Sequence, residues 1–232
     1  MNFFQKQCDK MKIELNKTQL EQFETYYNFL VDYNKKINLT SITNKDEVYI
    51  KHFLDSISVS KFSDLKGKLI DIGTGAGFPG VPLKILNPNL DVTLLESSKK
   101  KTIFLEKLSN ILGLKYEIIS SRAEESSKLE LYREKFDICI SRAVASLDIL
   151  IELCIPFLKV KRTFIAMKGP SLDDEIAKSK SVMVNLKCKI KDIFKFELPM
   201  NFGKRNIVLI EKIGKTPKKY PRSFSEIKSK RP

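Results

Sequence analysis

Apolar residues in the first part of the chain recur at helical spacing. Leu20, Phe23, Tyr27, Leu30 and Val31 fall three or four apart with polar residues between them, which gives one apolar helix face. Thr18-Gln-Leu-Glu21 has the form of a capping box at its start, and the helix is expected to end near Lys35–Asn38. Asn38-Leu-Thr-Ser-Ile-Thr43 reads as an extended connector, followed by a second helical pair that includes Val48 to Val59. The aromatic residues here read as core rather than as a base-stacking platform.

From Lys68 the pattern changes. Short β-favouring runs alternate with segments of helical spacing, as in a parallel sheet with crossover helices. Strands are expected at Lys68–Ile72, Asp91–Glu96, Tyr116–Ser120, Phe136–Ile140 and Arg162–Met167. Helices are expected from Val81 to Leu86, Lys99 to Leu112 and Asp173 to Val184, with Gly113 as a C-cap. Lys187–Leu198 and Asn206–Ile213 read as a closing pair of strands. The chain thus divides into a helical segment (1–67), an α/β domain (68–214) and a basic tail (215–232) whose end is expected to be poorly ordered.

The first strand runs into Gly73, Gly75, Gly77 and Gly80, four glycines in eight residues. This is the strand, glycine loop and helix start of a nucleotide-binding βα unit. Gly75-Ala-Gly77-Phe-Pro-Gly80 satisfies the dinucleotide pattern, but Asp71 stands two residues before the first glycine. A carboxylate there repels a pyrophosphate and attracts a cation. S-adenosylmethionine, with its ammonium and sulfonium, suits it better. Glu96 ends the second strand about 20 residues further on, where an acid accepts hydrogen bonds from ribose hydroxyls. Ser121-Arg-Ala-Glu-Glu125 follows the third strand, where the adenine of an adenosyl ligand would lie. Arg142 follows the fourth strand and so points at the active-site mouth.

Composition narrows the partners. Among 232 residues, 42 basic against 28 acidic give +14, a balance that favours a polyanion, nucleic acid before membrane. Seven basic residues and one acid lie between Lys215 and Pro232, a phosphate-seeking pattern. Three lysines open the helix at Lys99 against its dipole, which points to an anion nearby. No apolar run approaches the ~20 residues of a membrane span, and the N-terminus lacks a signal-peptide core. The four cysteines are widely spaced and there is one histidine, so no metal site is expected. The cysteines read as reduced, buried thiols of a cytoplasmic protein. His52 lies at helical spacing from Asp55 and Ser56, so a carboxylate could orient it; catalytic and structural readings both stand.

Together these residues resemble the bacterial small-subunit ribosomal RNA methyltransferase G family, also called glucose-inhibited division protein B. The resemblance rests on Asn38-Leu-Thr40, Lys51-His-Phe-Leu-Asp-Ser56, Asp71-Ile-Gly-Thr-Gly-Ala-Gly-Phe-Pro-Gly80, Leu94-Leu-Glu96, Ser141-Arg-Ala-Val-Ala-Ser146 and Lys168-Gly169. It extends into the Pro217-Lys-Lys-Tyr-Pro-Arg222 segment, and about the last eight residues depart from the family's tail. It implies a class I, Rossmann-like methyltransferase fold: a mostly parallel seven-stranded sheet with C-terminal antiparallel strands and an N-terminal helical cap. The implied activity is methyl transfer from S-adenosylmethionine to N7 of a guanine in 16S rRNA of the small ribosomal subunit or its assembly intermediate; nothing in the sequence suggests an obligate dimer, and a monomer is expected. Matching positions carry cofactor contacts to Gly73, Phe78, Ala123, Glu124 and Arg142, beside Asp71, Gly75, Gly77 and Glu96 from the loop and ribose arguments. Arg142 and Lys168, at strand ends, are the candidates for holding the guanine or an adjacent phosphate. The guanine N7 lone pair needs no general base, and no Cys nucleophile motif or Asn/Asp-Pro-Pro-Tyr motif is present. A small-molecule methyltransferase, an NAD-dependent oxidoreductase and a non-catalytic RNA-binding or assembly protein are the rivals.

Overall fold

Alternation along the strands sorts side chains to two faces of one sheet. In the computed structural model, which describes residues 3–229, Leu69, Ile138, Ile140, Ile165, Ile207 and Leu209 point into one hydrophobic layer. Their neighbours Ile70, Cys139, Phe164, Val208 and Ile210 point into the other. The strands are β1 (Lys68–Ile72), β2 (Asp91–Glu96), β3 (Glu117–Ser120), β4 (Phe136–Arg142), β5 (Leu158–Lys168), β6 (Cys188–Glu197) and β7 (Lys204–Lys212). They lie in the order β3-β2-β1-β4-β5-β7-β6. The β1, β2, β3, β4 and β5 pairings are parallel, and β7 runs antiparallel to both β5 and β6. Strand order reverses between β1 and β4, so the carboxyl ends of these two strands flank a topological switch point.

The first layer contains the N-terminal helices. These are α1 (Phe3–Lys10), which the sequence pattern did not single out, and α2 (Lys17–Asn34). The capping box of α2 falls on Asn16 and Gln19, not on Thr18 and Glu21. Asn16 has the extended backbone that capping requires, and its side chain accepts from Gln19 N while the Gln19 side chain accepts from Asn16 N. The Gln19 amide also donates to the carbonyls of Ile85 and Leu86. The expected second helical pair is instead one continuous rod over 45–61, here α3, with a widened π turn at Val48–Leu54.

Between the strands lie α4 (Gly80–Leu86), α5 (Lys99–Leu112), α6 (Ala123–Ser126), α7 (Leu147–Cys154) and α8 (Asp173–Asn185). Gly113 caps α5 in the left-handed region, as its position predicts. The tail departs from the expected phosphate-seeking arm. Arg222 pairs with Glu152 on α7, Tyr220 and Ile227 are buried, and Phe224–Ser229 forms a short helix, α9. Residues 230–232, the end expected to be poorly ordered, lie outside the described residues. All four cysteines are free and buried. Among the described residues no helix is long and apolar enough to cross a membrane, and no cluster of His, Cys, Asp or Glu is arranged to hold a metal.

The glycine loop is where the N-terminal layer meets the sheet. Tyr26 of α2 donates its hydroxyl to Ala76 O and stacks on Phe78. A Cβ on Gly77, whose φ is +100°, would come within 2.6 Å of the Tyr26 hydroxyl and 2.8 Å of Val81. Gly77→Ala therefore combines backbone strain with overpacking, and a loss of about 2 kcal/mol or more is expected from urea unfolding midpoints.

Candidate active site

Asp71 lies on the same face of β1 as Leu69 and is fully buried. Its Oδ2 accepts from Gly80 N at 2.8 Å and from Thr74 Oγ1 at 2.6 Å, so the carboxylate ties the two ends of the glycine loop together from below. Burial pushes its pKa up to about 6, against the opposing pull of those two hydrogen bonds. Its Oδ1 is buried with no hydrogen-bond partner among the described residues, which leaves an acceptor for a cationic ligand. Gly75 has φ +61° and open space where a Cβ would stand, so backbone is presented to a ligand there.

Four of the expected cofactor residues come together in one cavity of about 220 Å³. Gly73, Glu96, Ala123 and Glu124 line it, with Val144 and Phe224. Glu96 accepts from Gly75 N at 3.0 Å and Ser98 N at 2.8 Å, which fixes the acid at the rim. These residues fit an adenosyl group: carboxylates for ribose and an exocyclic amine, apolar side chains for a purine. Asp71, Gly75, Gly77 and Phe78 stand outside the cavity walls. Phe224 carried no motif in the sequence and reaches the cavity only because the tail folds back.

Arg142 does not project freely into the mouth. Its Nη1 donates to Asp55 Oδ2 at 2.9 Å, Lys51 O at 3.0 Å and His52 O at 3.3 Å, and its guanidinium lies over the Phe78 ring. Arg205 Nε stands 3.3 Å from Asp55 Oδ1, an ion pair without hydrogen-bond alignment. The other side of this cluster faces a second cavity of about 360 Å³, lined by His52, Asp55, Arg142, Lys168, Glu175 and Arg205 among others. Lys168 Nζ donates to Ala145 O at 2.8 Å and pairs with Glu175 at 2.7 Å. Ala143 lines this cavity and Val144 lines the first, so two consecutive residues after β4 divide them.

Asp55 pairs with the arginines and does not orient His52, contrary to one expectation. The His52 ring stacks on Phe78 at 4.6 Å, with Nε2 2.9 Å from Thr40 Oγ1 and Nδ1 3.4 Å from Arg142 Nη2. Arginine only donates, so Nδ1 accepts and the proton sits on Nε2. Burial and the Arg142 charge push the His52 pKa down to about 3. This imidazole is neutral at physiological pH, is partnered at both nitrogens and lines the second cavity.

The sheet order and the paired cavities at its carboxyl edge define the class I S-adenosylmethionine-dependent methyltransferase fold. One solved protein of that description, from Listeria monocytogenes, superposes with a TM-score of 0.58 at 13% identity, covering 84% of this chain and 71% of that one. At higher resolution of kinship, the model of the family described as rRNA small subunit methyltransferase G matches residues 19–208. A relative from Caldanaerobacter subterraneus subsp. tengcongensis named ribosomal RNA small subunit methyltransferase G is 48% identical over 226 residues, 96% of this chain and 94% of its own length. Another of that name from Lactobacillus johnsonii is 47% identical over 224 residues, covering 94% of each chain. The chain belongs to this family.

Two measurements follow from the geometry. The resonances of the single histidine are expected to show no titration between pH 5 and 8 by NMR. The unfolded chain binds a proton at His52 between about pH 3 and its ordinary value of about 6.5, whereas the folded chain does not; this group therefore adds stability as pH rises through that window and nothing above it. Arg142→Ala leaves the buried Asp55 carboxylate with only the unaligned Arg205 ion pair and is expected to cost about 3 kcal/mol by chemical denaturation, with the Arg142→Ala/Asp55→Asn double variant costing less than the sum of the singles.

Proposed function

We propose that this methyltransferase acts on N7 of a guanine in 16S rRNA, with the 220 Å³ cavity holding S-adenosylmethionine and the 360 Å³ cavity receiving the base. The observation that carries the reading is their adjacency across Ala143 and Val144 at the switch point. Gly73, Glu96, Ala123 and Glu124 would hold S-adenosylmethionine, which would supply its sulfonium methyl to N7 and leave as the neutral thioether, with the positive charge then on the guanine. N7 carries an in-plane lone pair at neutral pH, so no proton has to leave. The neutral, fully partnered His52 agrees with a reaction that needs alignment rather than a general base.

This chain's residues do the positioning. Lys168 and Glu175 brace the divider, since Lys168 holds Ala145 O and Glu175 accepts from Leu147 N at 2.7 Å. Asp55 and Glu175 place carboxylates beside a base that becomes cationic, which favours the product-like transition state. Arg205 lines both the base cavity and a shallow groove of about 450 Å³ along the β6–β7 hairpin, with Lys195 and Lys204. That groove and the +14 charge suit a nucleic-acid backbone better than a small molecule.

The test is transfer of labelled methyl from S-adenosylmethionine to small subunits that lack the modification, with the labelled nucleoside identified by mass. N7-methylguanosine is expected. Lys168→Ala is expected to lower kcat at least tenfold, the scale of a lost positioning contact, with the Kd for S-adenosylhomocysteine unchanged. Cofactor binding without label in RNA would overturn the substrate, and absence of binding would overturn the cofactor reading as well.

A further inference from the structure

The tail residues 215–229 are held by three anchors, two half-buried and one fully buried, none of which lines either cavity of the site. Arg133 directs Nη1 to Tyr220 O at 2.9 Å and Ser127 O at 3.3 Å, and Nη2 to Thr216 O at 3.1 Å and Pro217 O at 3.2 Å. Glu134 Oε1 accepts from Thr216 N at 2.9 Å and from the fully buried Lys212 ammonium at 2.7 Å. Glu152, itself 1% exposed, accepts from Arg222 N at 2.9 Å, Nε at 2.8 Å and Nη2 at 2.6 Å. An arginine satisfying four carbonyls and a buried carboxylate gripping a second arginine fix the path of an otherwise polar segment.

That path delivers one aromatic ring to the cofactor cavity. Phe224 lines this cavity together with Val144 and Leu153, as do Glu96 and Glu124. Lys228, one helical turn on, sets its ammonium over the same ring at 4.8 Å. A purine nucleoside offers polar edges and flat apolar faces, and this wall supplies the apolar surface that the acidic rim lacks.

We propose that the C-terminal segment is a structural wall of the cofactor site and that Phe224 contacts the nucleoside of bound S-adenosylmethionine; this rests on reading the 220 Å³ cavity as the cofactor site. Arg133 is then a positioning residue, acting through the path of the tail. Arg222 serves the fold and is not available as a phosphate-seeking side chain.

The test is calorimetric titration of the full chain with S-adenosylhomocysteine, beside kinetics on methyl-deficient small subunits. Phe224→Ala is expected to weaken S-adenosylhomocysteine about tenfold and raise KM for S-adenosylmethionine to match, with kcat at saturation and KM for the subunits unchanged. Phe224→Tyr is expected to restore affinity. Arg133→Met is expected to weaken binding in the wild-type background but add little in the Phe224→Ala background, a coupling that mere loss of stability would not give. Should Phe224→Ala unfold, Phe224→Leu, which keeps apolar bulk without the ring, is read the same way. Unchanged affinity in folded Phe224→Ala or Phe224→Leu, or a loss of subunit affinity alone, overturns the proposal. A wild-type chain that does not bind S-adenosylhomocysteine overturns instead the assignment of the cavity on which it rests.

Discussion

The arrangement depends on one buried guanidinium. Arg142 ends β4, and its Nη1 donates to Asp55 and to two carbonyls of the widened turn of α3 while the group lies over Phe78 of the glycine loop. It therefore joins sheet, N-terminal helices and loop at a single point. A cation with 11% side-chain exposure needs a partner, and Asp55 at 5% supplies it. The same charge presses on the adjacent imidazole and, with burial, keeps His52 neutral. Acid–base chemistry is thereby removed from the one residue with an ordinary pKa near neutrality, while its ring is retained as a packing surface against Phe78.

The second constraint is the pair of strand ends beside it. Parallel strands bring the residues after β4 and the end of β5 to the same edge. Ala143 takes a left-handed φ of +57°, a conformation that needs support from its surroundings. Support comes from Lys168 on Ala145 O and Glu175 on Leu147 N, both side chains reaching in from β5 and α8. The divider between the two cavities is thus held from the neighbouring strand, and the glycine loop opposite is held from below by Asp71. Methyl transfer by alignment requires both sides of the junction to be rigid, and each is fixed by side-chain hydrogen bonds to backbone.

Local patterns were legible where a residue's neighbours in sequence decide its role. The β-favouring apolar runs of β1, β4 and β7, the glycine loop, Glu96 at the end of β2 and Gly113 as a cap are all of that kind. The features that a sequence reading missed depend on distant partners. Arg142 meets His52 O across 90 positions, so its use as an anchor could not be inferred from the end of β4 alone. The same holds for Glu152 and Arg222, 70 positions apart, which turn a tail that reads as basic and free into a docked one. Asp71 was read as facing a ligand, yet most of its hydrogen bonding serves the loop. The capping box slipped by two positions because Ser/Thr and Asn caps are nearly equivalent by type and only backbone conformation separates them.

The same distinction governs the charge. Within the 360 Å³ cavity each basic side chain has an acidic neighbour: Arg142 and Arg205 share Asp55, Lys168 pairs with Glu175, and Lys51 pairs with Glu47 outside the lining. Their contribution is shape, since a paired and buried charge exerts little attraction at a distance. Exposed lysines Lys195 and Lys204 line the hairpin groove, together with Arg205 and the single acid Glu197. On the proposed function, a polyanion would be drawn to the exposed charges while the base would enter a cavity that holds Asp55 and Glu175 beside the cation formed on methylation. Long-range attraction and local complementarity thus require opposite electrostatics, and the fold keeps them on separate surfaces that Arg205 connects.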